Sequence, residues 1–250
     1  MVGDAILITD ERGRRFIAKL RDEMIEIAGL GTIRPELLKS SLETGRLVIG
    51  GKSLSTRRAS VSDIISLIER KAQILTSKDI AMIIHFCDIR CGSKVVEGGA
   101  GSGALTIALL ASVASTGNVT TYELRDDFAA IASRNVNLAD LSDRWSLKKA
   151  DICSGIDERD INAVIVDIPN PWDCVQSASD ALGVGGSFCA FVPNVNQVER
   201  TVRALRDRGF AEIRAFETLL REMVVHNRGI RPSSDMLGHT GYVIVSMSNP

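Results

Sequence analysis

The sequence predicts a Rossmann-like α/β protein with a seven-stranded, mostly parallel sheet, preceded by a small N-terminal β domain. Three observations favour this fold. Strand and helix patterns alternate from about residue 77 onward, a glycine-rich turn joins a strand to a helix near residues 98–103, and short strands separated by glycines occupy residues 1–50. We therefore predict a first domain over residues 1–60 and a second over residues 61–250.

The N-terminal region begins with a hairpin signal. Residues 5–9 and 14–18 are apolar-rich segments that flank the turn sequence Asp-Glu-Arg-Gly. Further glycines between residues 29 and 51 predict more short strands. Residues 61–68 then carry apolar side chains at helical spacing, with Ser62 and Asp63 near the start, which predicts a linking helix.

The second domain is predicted to alternate strands with helices. Helices are expected over residues 77–86 (capped by Ser77), from 104 onward, and over 126–138 and 195–208. Strands are expected to end at 97, 123, 151, 167 and 192, with 212–216 and 242–246 completing the sheet. This order predicts parallel strands with crossover helices on both faces.

The glycine-rich turn is the first candidate ligand site. Gly99, Gly101 and Gly103 permit a sharp turn and a close approach of backbone to a ligand. Such a turn fits NAD, S-adenosylmethionine (SAM) or no ligand at all. The strand before it ends on Glu97, and an acid there favours a ligand with a positive centre and an amino group, such as SAM.

Four acids lie at the predicted ends of four strands: Glu97, Glu123, Asp151 and Asp167. The carboxyl ends of parallel strands meet at one crevice, so these acids are expected to surround one site. Glu123 occupies the position of an acid that accepts hydrogen bonds from ribose hydroxyls, in NAD and SAM sites alike. Asp151 can accept a hydrogen bond from an adenine N6 amino group.

The loop Asp167-Ile-Pro-Asn-Pro-Trp172 is the most specific feature. Two prolines keep it extended after the strand. Trp172 can stack on an extruded base while Asp167 accepts from its exocyclic amine. The alternative is a rigid turn whose tryptophan belongs to the core, and the sequence leaves both hypotheses open.

Composition restricts the remaining possibilities. No apolar run is long enough to span a membrane and no signal peptide is recognised, so a cytoplasmic protein is expected. The five scattered cysteines predict free thiols, with no disulfide and no structural metal. Net charge is −1, but Arg46, Lys52, Arg57 and Arg58 form an acid-free stretch that either contacts phosphates or is a solvated loop.

Several segments together resemble the TrmI type of tRNA adenine-N1 methyltransferase, which modifies the T-loop. They are Gln73-Ile-Leu-Thr-Ser-Lys-Asp79, Val96-Glu-Gly-Gly-Ala-Gly-Ser-Gly103, Tyr122-Glu-Leu-Arg125, Asp167-Ile-Pro-Asn-Pro-Trp172, Pro193-Asn-Val-Asn-Gln-Val198 and Gly238-His-Thr-Gly-Tyr242. The resemblance covers about residues 45–246. It implies a class I SAM-dependent methyltransferase fold, tRNA as substrate, a homotetramer, and methylation at tRNA position 58, with position 57 left open.

The resemblance also implies roles for individual residues. Those expected to bind SAM are Glu97, Gly99, Gly101, Ser102, Gly103, Ala104, Leu105, Glu123, Arg125, Asp151, Ile152 and Asp167. Those expected to contact tRNA are Thr76, Pro169 and Trp172, with Thr76 standing where the family often has an aromatic residue. From their charge alone, Arg57 and Arg58, or Arg46 and Lys52 of a neighbouring subunit, are expected to hold the tRNA phosphates. Asp167 is the expected catalytic residue, since it would accept from the adenine N6 amine while N1 attacks the methyl carbon of SAM.

Other functions remain alternatives at this point. They are methylation of a small molecule or protein, a non-catalytic tRNA-binding subunit, and an NAD-dependent oxidoreductase. His239 is either a general base or a residue that orders the last hairpin, and the structural role is favoured. His85 is interpreted as structural, whereas His226, Arg228 and Arg231 are placed in a loop that could contact RNA.

Overall fold

The computed structural model describes residues 5–27, 29–71 and 73–249. The N-terminal elements, in chain order, are β1 (Ala5–Thr9), β2 (Arg15–Lys19), β3 (Ile25–Ile27), β4 (Gly31–Ile33), α1 (Pro35–Thr44), β5 (Arg46–Ile49) and β6 (Lys52–Arg58). Four of the strands form an antiparallel sheet in the order β2-β1-β6-β5, and β3 pairs with β4. Ile6, Ile8 and Leu38 are fully buried in the core between this sheet and α1. The predicted domain boundary at residue 60 stays a prediction.

Helix α1 corrects the expectation that this region contains only β structure. Pro35 occupies the first helical position, where its missing N–H is not needed. Gly45 ends the helix in the left-handed conformation, with φ of 68°. The glycine interpreted as a strand boundary is therefore a helix C-cap.

The remaining elements form the larger part of the chain. They are α2 (Val61–Leu67), α3 (Ser77–Phe86), β7 (Lys94–Gly98), α4 (Ala104–Val113), β8 (Asn118–Tyr122), α5 (Asp126–Leu138), β9 (Trp145–Lys148), β10 (Ile161–Val166), α6 (Val175–Ala181), β11 (Leu182–Val192), α7 (Val195–Asp207), β12 (Ala211–Glu217), β13 (Met223–His226), β14 (Gly229–Pro232) and β15 (Tyr242–Met247). Seven strands build one sheet in the order β12-β15-β11-β10-β7-β8-β9. Only β15 runs antiparallel to its neighbours, so the predicted mostly parallel sheet is confirmed.

The sheet topology places the crevice at the ends of β7, β8 and β10. Strand order reverses at β7, which pairs with β8 on one side and β10 on the other. Gly98 is in register with both Tyr122 and Val166, so the three strands end level with one another. A ligand crevice forms at such a switch point.

Element boundaries differ from prediction in a few places. Thr76, and not Ser77, is the N-cap residue of α3, and β9 ends at Lys148, before the expected strand end at Asp151. Residues 223–232 form the hairpin β13–β14 where a loop was expected. Val224, Val225 and Ile230 favour β structure on either side of the turn at Asn227 and Arg228, which is a hairpin signal.

The prediction of no disulfide is wrong, because Cys153 and Cys174 are bonded. Each lies in a short 3-10 helix that follows a sheet strand, Ile152–Ser154 after β9 and Pro171–Cys174 after β10, and these two segments pack together. Cys87, Cys91 and Cys189 are free thiols.

Within the described part of the chain, no set of three or more His, Cys, Asp or Glu side chains is arranged to hold a metal ion. No helix among those described is both long and apolar enough to cross a membrane.

Candidate cofactor and substrate site

A cavity of about 420 Å³ lies at the carboxyl ends of β7, β8 and β10. Its walls are the glycine turn, residues 122–125, Phe128 on α5, and residues 150–153 and 167–170. A small extension of about 20 Å³ continues between the turn at residues 99–105 and residues 73–75, and it also reaches Asp167. Cavities of this size commonly bind a nucleotide-sized ligand.

The glycine turn needs its glycines for three different reasons. A Cβ on Gly99, where φ is +89°, would lie 2.5 Å from the carbonyl oxygen of Asp167. A Cβ on Gly103, where φ is +82° and α4 begins, would lie 3.3 Å from the Cα of Ala132. A Cβ on Gly101, with φ of +50°, would meet nothing within 4 Å, so this glycine borders open space inside the cavity wall. The turn is thus packed against the sheet and open towards the cavity.

Glu97 supports the turn from inside the protein. Its side chain is fully buried, and the hydroxyls of Thr106 and Thr121 each donate to Oε2 at 2.7 Å. The Trp145 indole N–H in turn donates to the Thr121 hydroxyl at 2.8 Å. Burial raises the pKa of Glu97 to about 8, and the nearby carboxylate of Asp167 adds to this effect. Oε1 has no partner among the described residues, so one acceptor position remains available.

Glu123 clasps the turn from the neighbouring strand. Its Oε2 accepts from the Ala100 backbone N–H at 3.0 Å and its Oε1 from the Arg125 N–H at 2.9 Å. The side chain is only 8 % exposed and lines the cavity. Each carboxylate oxygen keeps a second lone pair, as a ribose-binding acid requires.

The third acid, Asp151, lies at the exposed rim of the same cavity. Its Oδ1 accepts from the Cys153 N–H at 2.9 Å, which caps the following 3-10 helix. Ile152 and Phe128 provide apolar wall nearby, and the Arg125 guanidinium lies 4.1 Å from the Phe128 ring centroid. The arrangement fits an aromatic base with an amino group at its edge.

Asp167 faces the point where the cavity meets its extension. Its backbone N–H donates to the Gly98 carbonyl at 2.9 Å, which holds the residue beside β7. The carboxyl group opens to the cavity and accepts no hydrogen bond from any described residue. Surrounding protein nevertheless displaces enough water to raise the pKa of Asp167 to about 6. It is thus an acceptor that a ligand can satisfy.

The loop after Asp167 is rigid, but Trp172 does not face the cavity. Pro169 and Asn170 line it, whereas the Arg200 guanidinium lies 3.8 Å from the Trp172 ring centroid and covers one face of the indole. The Gln197 amide donates to the Pro169 carbonyl at 2.9 Å. The tryptophan therefore anchors the loop to α7, and its stacking on a base stays a prediction.

Arg57, which was predicted to contact phosphates, instead binds a carboxylate within the protein. The Arg57 guanidinium donates to both oxygens of Asp63 at 2.6 and 3.0 Å, and Asp63 forms the capping box of α2 with Ser60. Burial opposes ionisation of Asp63, yet Arg57 and Ser60 outweigh it and lower its pKa. Arg57 thus has a structural partner, and neither it nor Arg58 at the end of β6 lines the cavity.

Thr76 directly follows residues 73–75, which line the cavity extension, and it is part of a buried network. Its hydroxyl donates to Asp79 at 2.7 Å, and Asp79 is fully buried. Lys78 donates to Asp79 at 2.7 Å and to the Thr240 hydroxyl at 2.5 Å, so the start of α3 is joined to the segment before β15. Two of the segments that carry the family resemblance, residues 73–79 and 238–242, are therefore joined by hydrogen bonds in the structure.

His239 belongs to the same structural unit and not to the cavity. Its ring nitrogens lie 2.7 Å from a Glu217 oxygen and 2.9 Å from the Pro193 carbonyl. The Glu217 carboxylate and then this carbonyl raise the pKa of His239. The structural role favoured for His239 fits this geometry. His226 and Arg231 lie on the exposed hairpin β13–β14, and their contact with RNA stays a prediction.

Some cavity residues were not predicted from the sequence. Gln73, Tyr122, Leu124 and Phe128 all line the cavity. Gln73, Tyr122 and Leu124 do occur in the segments that carry the resemblance, which was the available signal. No local pattern indicated that Arg200 covers Trp172.

Comparisons with known proteins give a consistent assignment. The profile of the family described as "tRNA methyltransferase complex GCD14 subunit" matches residues 64–239. The TrmI enzyme of Methanocaldococcus jannaschii, named for adenines 57 and 58 of tRNA, is 32 % identical over 98 % of this chain and 95 % of its own. The TrmI enzyme of Thermus thermophilus, named for adenine 58, is 28 % identical over 96 % and 94 %.

A solved structure agrees with these sequence comparisons. A Thermotoga maritima protein described as a SAM-dependent O-methyltransferase superposes with a TM-score of 0.83 and 30 % identity, covering 100 % of this chain and 94 % of its own. The shared sheet, with a glycine turn after β7, is the class I fold of SAM-dependent methyltransferases. The chain belongs to the GCD14 family of tRNA methyltransferase complex subunits.

Proposed function

We propose that this protein is a SAM-dependent tRNA (adenine-N1)-methyltransferase that converts a T-loop adenosine into 1-methyladenosine. The observation that carries the proposal is the Asp167 carboxyl group. It faces the meeting point of the cavity and its extension, beside Pro169 and Asn170, with no hydrogen-bond partner among the described residues. A carboxylate in this position can accept from an adenine N6 amine.

The lining of the cavity suits the parts of SAM. Asp151 and the apolar wall of Ile152 and Phe128 suit the adenine, and Glu123 suits the ribose. The methionine end would lie along the glycine turn, where backbone N–H groups at the start of α4 favour a carboxylate, and the extension of about 20 Å³ there would widen to admit it. Gly101 leaves room for this close approach. SAM would supply an electrophilic methyl group there.

The chain's own contribution to the reaction is positioning and charge. Asp167 holds the adenine by its N6 amine, which directs N1 towards the methyl carbon. As the N1–carbon bond forms and the carbon–sulfur bond breaks, positive charge passes to the adenine ring, where the carboxylate stabilises it. Orientation of this kind offsets roughly 7–11 kcal/mol of barrier.

The direct test is incubation with methyl-labelled SAM and unmodified tRNA, followed by nucleoside analysis. We expect 1-methyladenosine, and its absence under conditions where SAM binds would contradict the proposal. The names of the two relatives differ, one including adenine 57 and the other only adenine 58. Mapping the modified position therefore decides between them.

One rival has a specific observation behind it, since the Thermotoga structure is described as an O-methyltransferase. The same assay distinguishes the two activities, because an O-methyltransferase would give methylated hydroxyls and no base-methylated nucleoside. A non-catalytic tRNA-binding subunit is less favoured, because the chain keeps both the glycine turn and Asp167.

We further propose that the chain acts in the cytoplasm as a homotetramer. Apolar side chains on and near the β13–β14 hairpin are exposed and would be covered by another subunit, namely Leu219, Leu220, Met223, Val225 and Ile230. Light scattering after size-exclusion chromatography tests the mass. A monomer at micromolar concentration would contradict this part of the proposal.

A further inference from the structure

A second cleft of about 360 Å³ lies next to the cofactor cavity, between α2 and residues 70–77. Residues 73–75 separate the two, since they line both this cleft and the extension along the glycine turn. We call it the α2 cleft. Only residues 73–75 separate a ligand bound there from the proposed site of methyl transfer.

The lining of the α2 cleft suits an anion. It contains no acidic residue, and Ser62 and Ser77 contribute hydroxyl groups that donate to no described residue. The hydroxyls of Ser66 and Thr76, which also line the cleft, donate to the Asp63 carbonyl and to Asp79. Arg70 provides the positive charge. The apolar floor is limited to Ile65, Ile74 and Leu75, so burial of a large apolar ligand is not favoured.

Arg70 is oriented but not neutralised. Its Nη2 donates to the carbonyls of Ile65 and Ser66 at 3.3 and 3.0 Å, at the C-terminal end of α2. No carboxylate pairs with it within the described residues, and neither Nε nor Nη1 donates a hydrogen bond there. A guanidinium held in this way presents its remaining N–H groups to a phosphate.

Neighbouring cations do not share this property. Lys71 pairs with Asp127 at 2.5 Å, and Arg134 pairs with Glu69 at 2.9 Å. Arg57 is held by Asp63. Arg70 is thus the unpaired cation of this part of the described surface, and it lies on the side of the site that leads to the methyl-transfer point.

We propose that the α2 cleft binds a phosphodiester of the RNA strand next to the target adenosine, with Arg70 as its main donor. This inference rests on the proposed function, because a base that enters beside Asp167 brings its adjoining backbone across residues 73–75. Arg70 is then a substrate-positioning residue, and the Ser62 hydroxyl, which donates to no described residue, supplies a further hydrogen bond.

The test compares Arg70→Ala with Arg90→Ala, a matched control of equal charge change. Arg90 lies just before β7, at the end of the sheet where the parallel strands begin, and it is exposed and 3.5 Å from Asp88. Arg70→Ala should weaken tRNA binding about tenfold and raise KM for tRNA, while SAM affinity stays unchanged. The slope of log Kd against log salt concentration should fall by about one. Arg90→Ala should change neither.

A second variant protects the test against a folding defect. Ser62 is the second residue of α2, where a carboxylate is favourable for the helix, so Ser62→Asp should keep or raise Tm. The same carboxylate would repel a phosphate in the cleft and weaken tRNA binding. We expect a stable protein with weaker tRNA binding. A purely structural role of the cleft would not produce this result.

The outcomes separate the inference from the proposed function. If wild type methylates tRNA but both cleft variants bind it like Arg90→Ala, the inference is overturned and the proposed function stands. The inference is also overturned if the variants change only the oligomeric mass, because the cleft would then be a subunit contact. If wild type methylates no tRNA, the proposed function and this inference both fail.

Discussion

Replacing Asp167 with asparagine is the sharpest perturbation of the proposed chemistry. The change keeps the size of the side chain and removes its negative charge, so the cavity wall should be preserved. Because the carboxylate has no partner among the described residues, no existing hydrogen bond is lost. SAM affinity should stay within a few-fold of wild type.

The expected loss of turnover follows from the missing charge. A hydrogen bond to an ionised group contributes about 1.5–3 kcal/mol, and loss of one donor or acceptor aimed at developing charge typically lowers kcat about 10²–10³-fold. We therefore predict a fall in kcat of about a hundredfold for Asp167→Asn. Single-turnover methyl transfer at saturating SAM and tRNA measures it directly.

The pH dependence gives an independent check. The surrounding protein displaces water and raises the pKa of Asp167 to about 6, so the ionised acceptor should form as pH rises through this value. The kcat/KM of wild type for tRNA should rise up to about pH 6 and then level off, and Asp167→Asn should lack that step. Because the pKa of Asp167 is higher in the folded state than in the unfolded state, ionisation of this residue at higher pH destabilises the fold. Asp167→Asn should therefore melt at a higher temperature than wild type at pH 8, with the difference shrinking as pH falls below 6.

Two results would refute this reasoning. Unchanged turnover in Asp167→Asn would remove the residue from the catalytic role. A marked loss of SAM binding would show that the side chain holds the cofactor and does not act on the adenine.

Three further predictions concern the frame of the site. Gly99→Ala should abolish SAM binding and lower the free energy of unfolding by about 1–3 kcal/mol, since the added Cβ would lie 2.5 Å from a carbonyl oxygen. Gly50→Ala is the control, because its Cβ would meet nothing within 4 Å and SAM binding should change little. Calorimetry measures SAM binding and thermal melting measures stability. Cys153→Ser should lower the free energy of unfolding by about 3 kcal/mol, because the disulfide closes a loop with a sequence separation of 21. Denaturant unfolding with and without a thiol reductant measures this, and equal stability of the oxidised and reduced protein would contradict the bond. Arg200→Ala should raise KM for tRNA several-fold at unchanged SAM affinity by loosening the loop after β10, and Arg206→Ala on the same helix serves as the control; equal kinetics for the two variants would count against the anchoring role.

Local patterns predicted the elements that carry local signals. Helix α5 was expected over residues 126–138 and occupies them, because its apolar face repeats at helical spacing. The glycine turn and the acids at strand ends were likewise visible, since the carboxyl ends of parallel strands converge. Helix α1 was missed because Gly45 suits a strand boundary as well as a helix C-cap.

Features that depend on long-range packing could not be predicted. Arg200 covers Trp172 only because α7 packs beside the loop after β10, and no spacing in the chain shows this. The Cys153–Cys174 bond forms between two 3-10 helices of different crossovers and has no CxxC pattern. Arg57 was assigned to RNA from charge alone, whereas its partner Asp63 is set by the geometry of the α2 cap.

The most direct test of the central claim uses two tRNA transcripts that differ at one base. Wild-type protein is incubated with methyl-labelled SAM and a transcript with adenosine at position 58, or with guanosine there, and nucleosides are separated after digestion. The account predicts 1-methyladenosine from the first transcript and its loss or restriction to position 57 in the second. Label in any other nucleoside, or no transfer to either transcript by protein that binds SAM, would contradict the account.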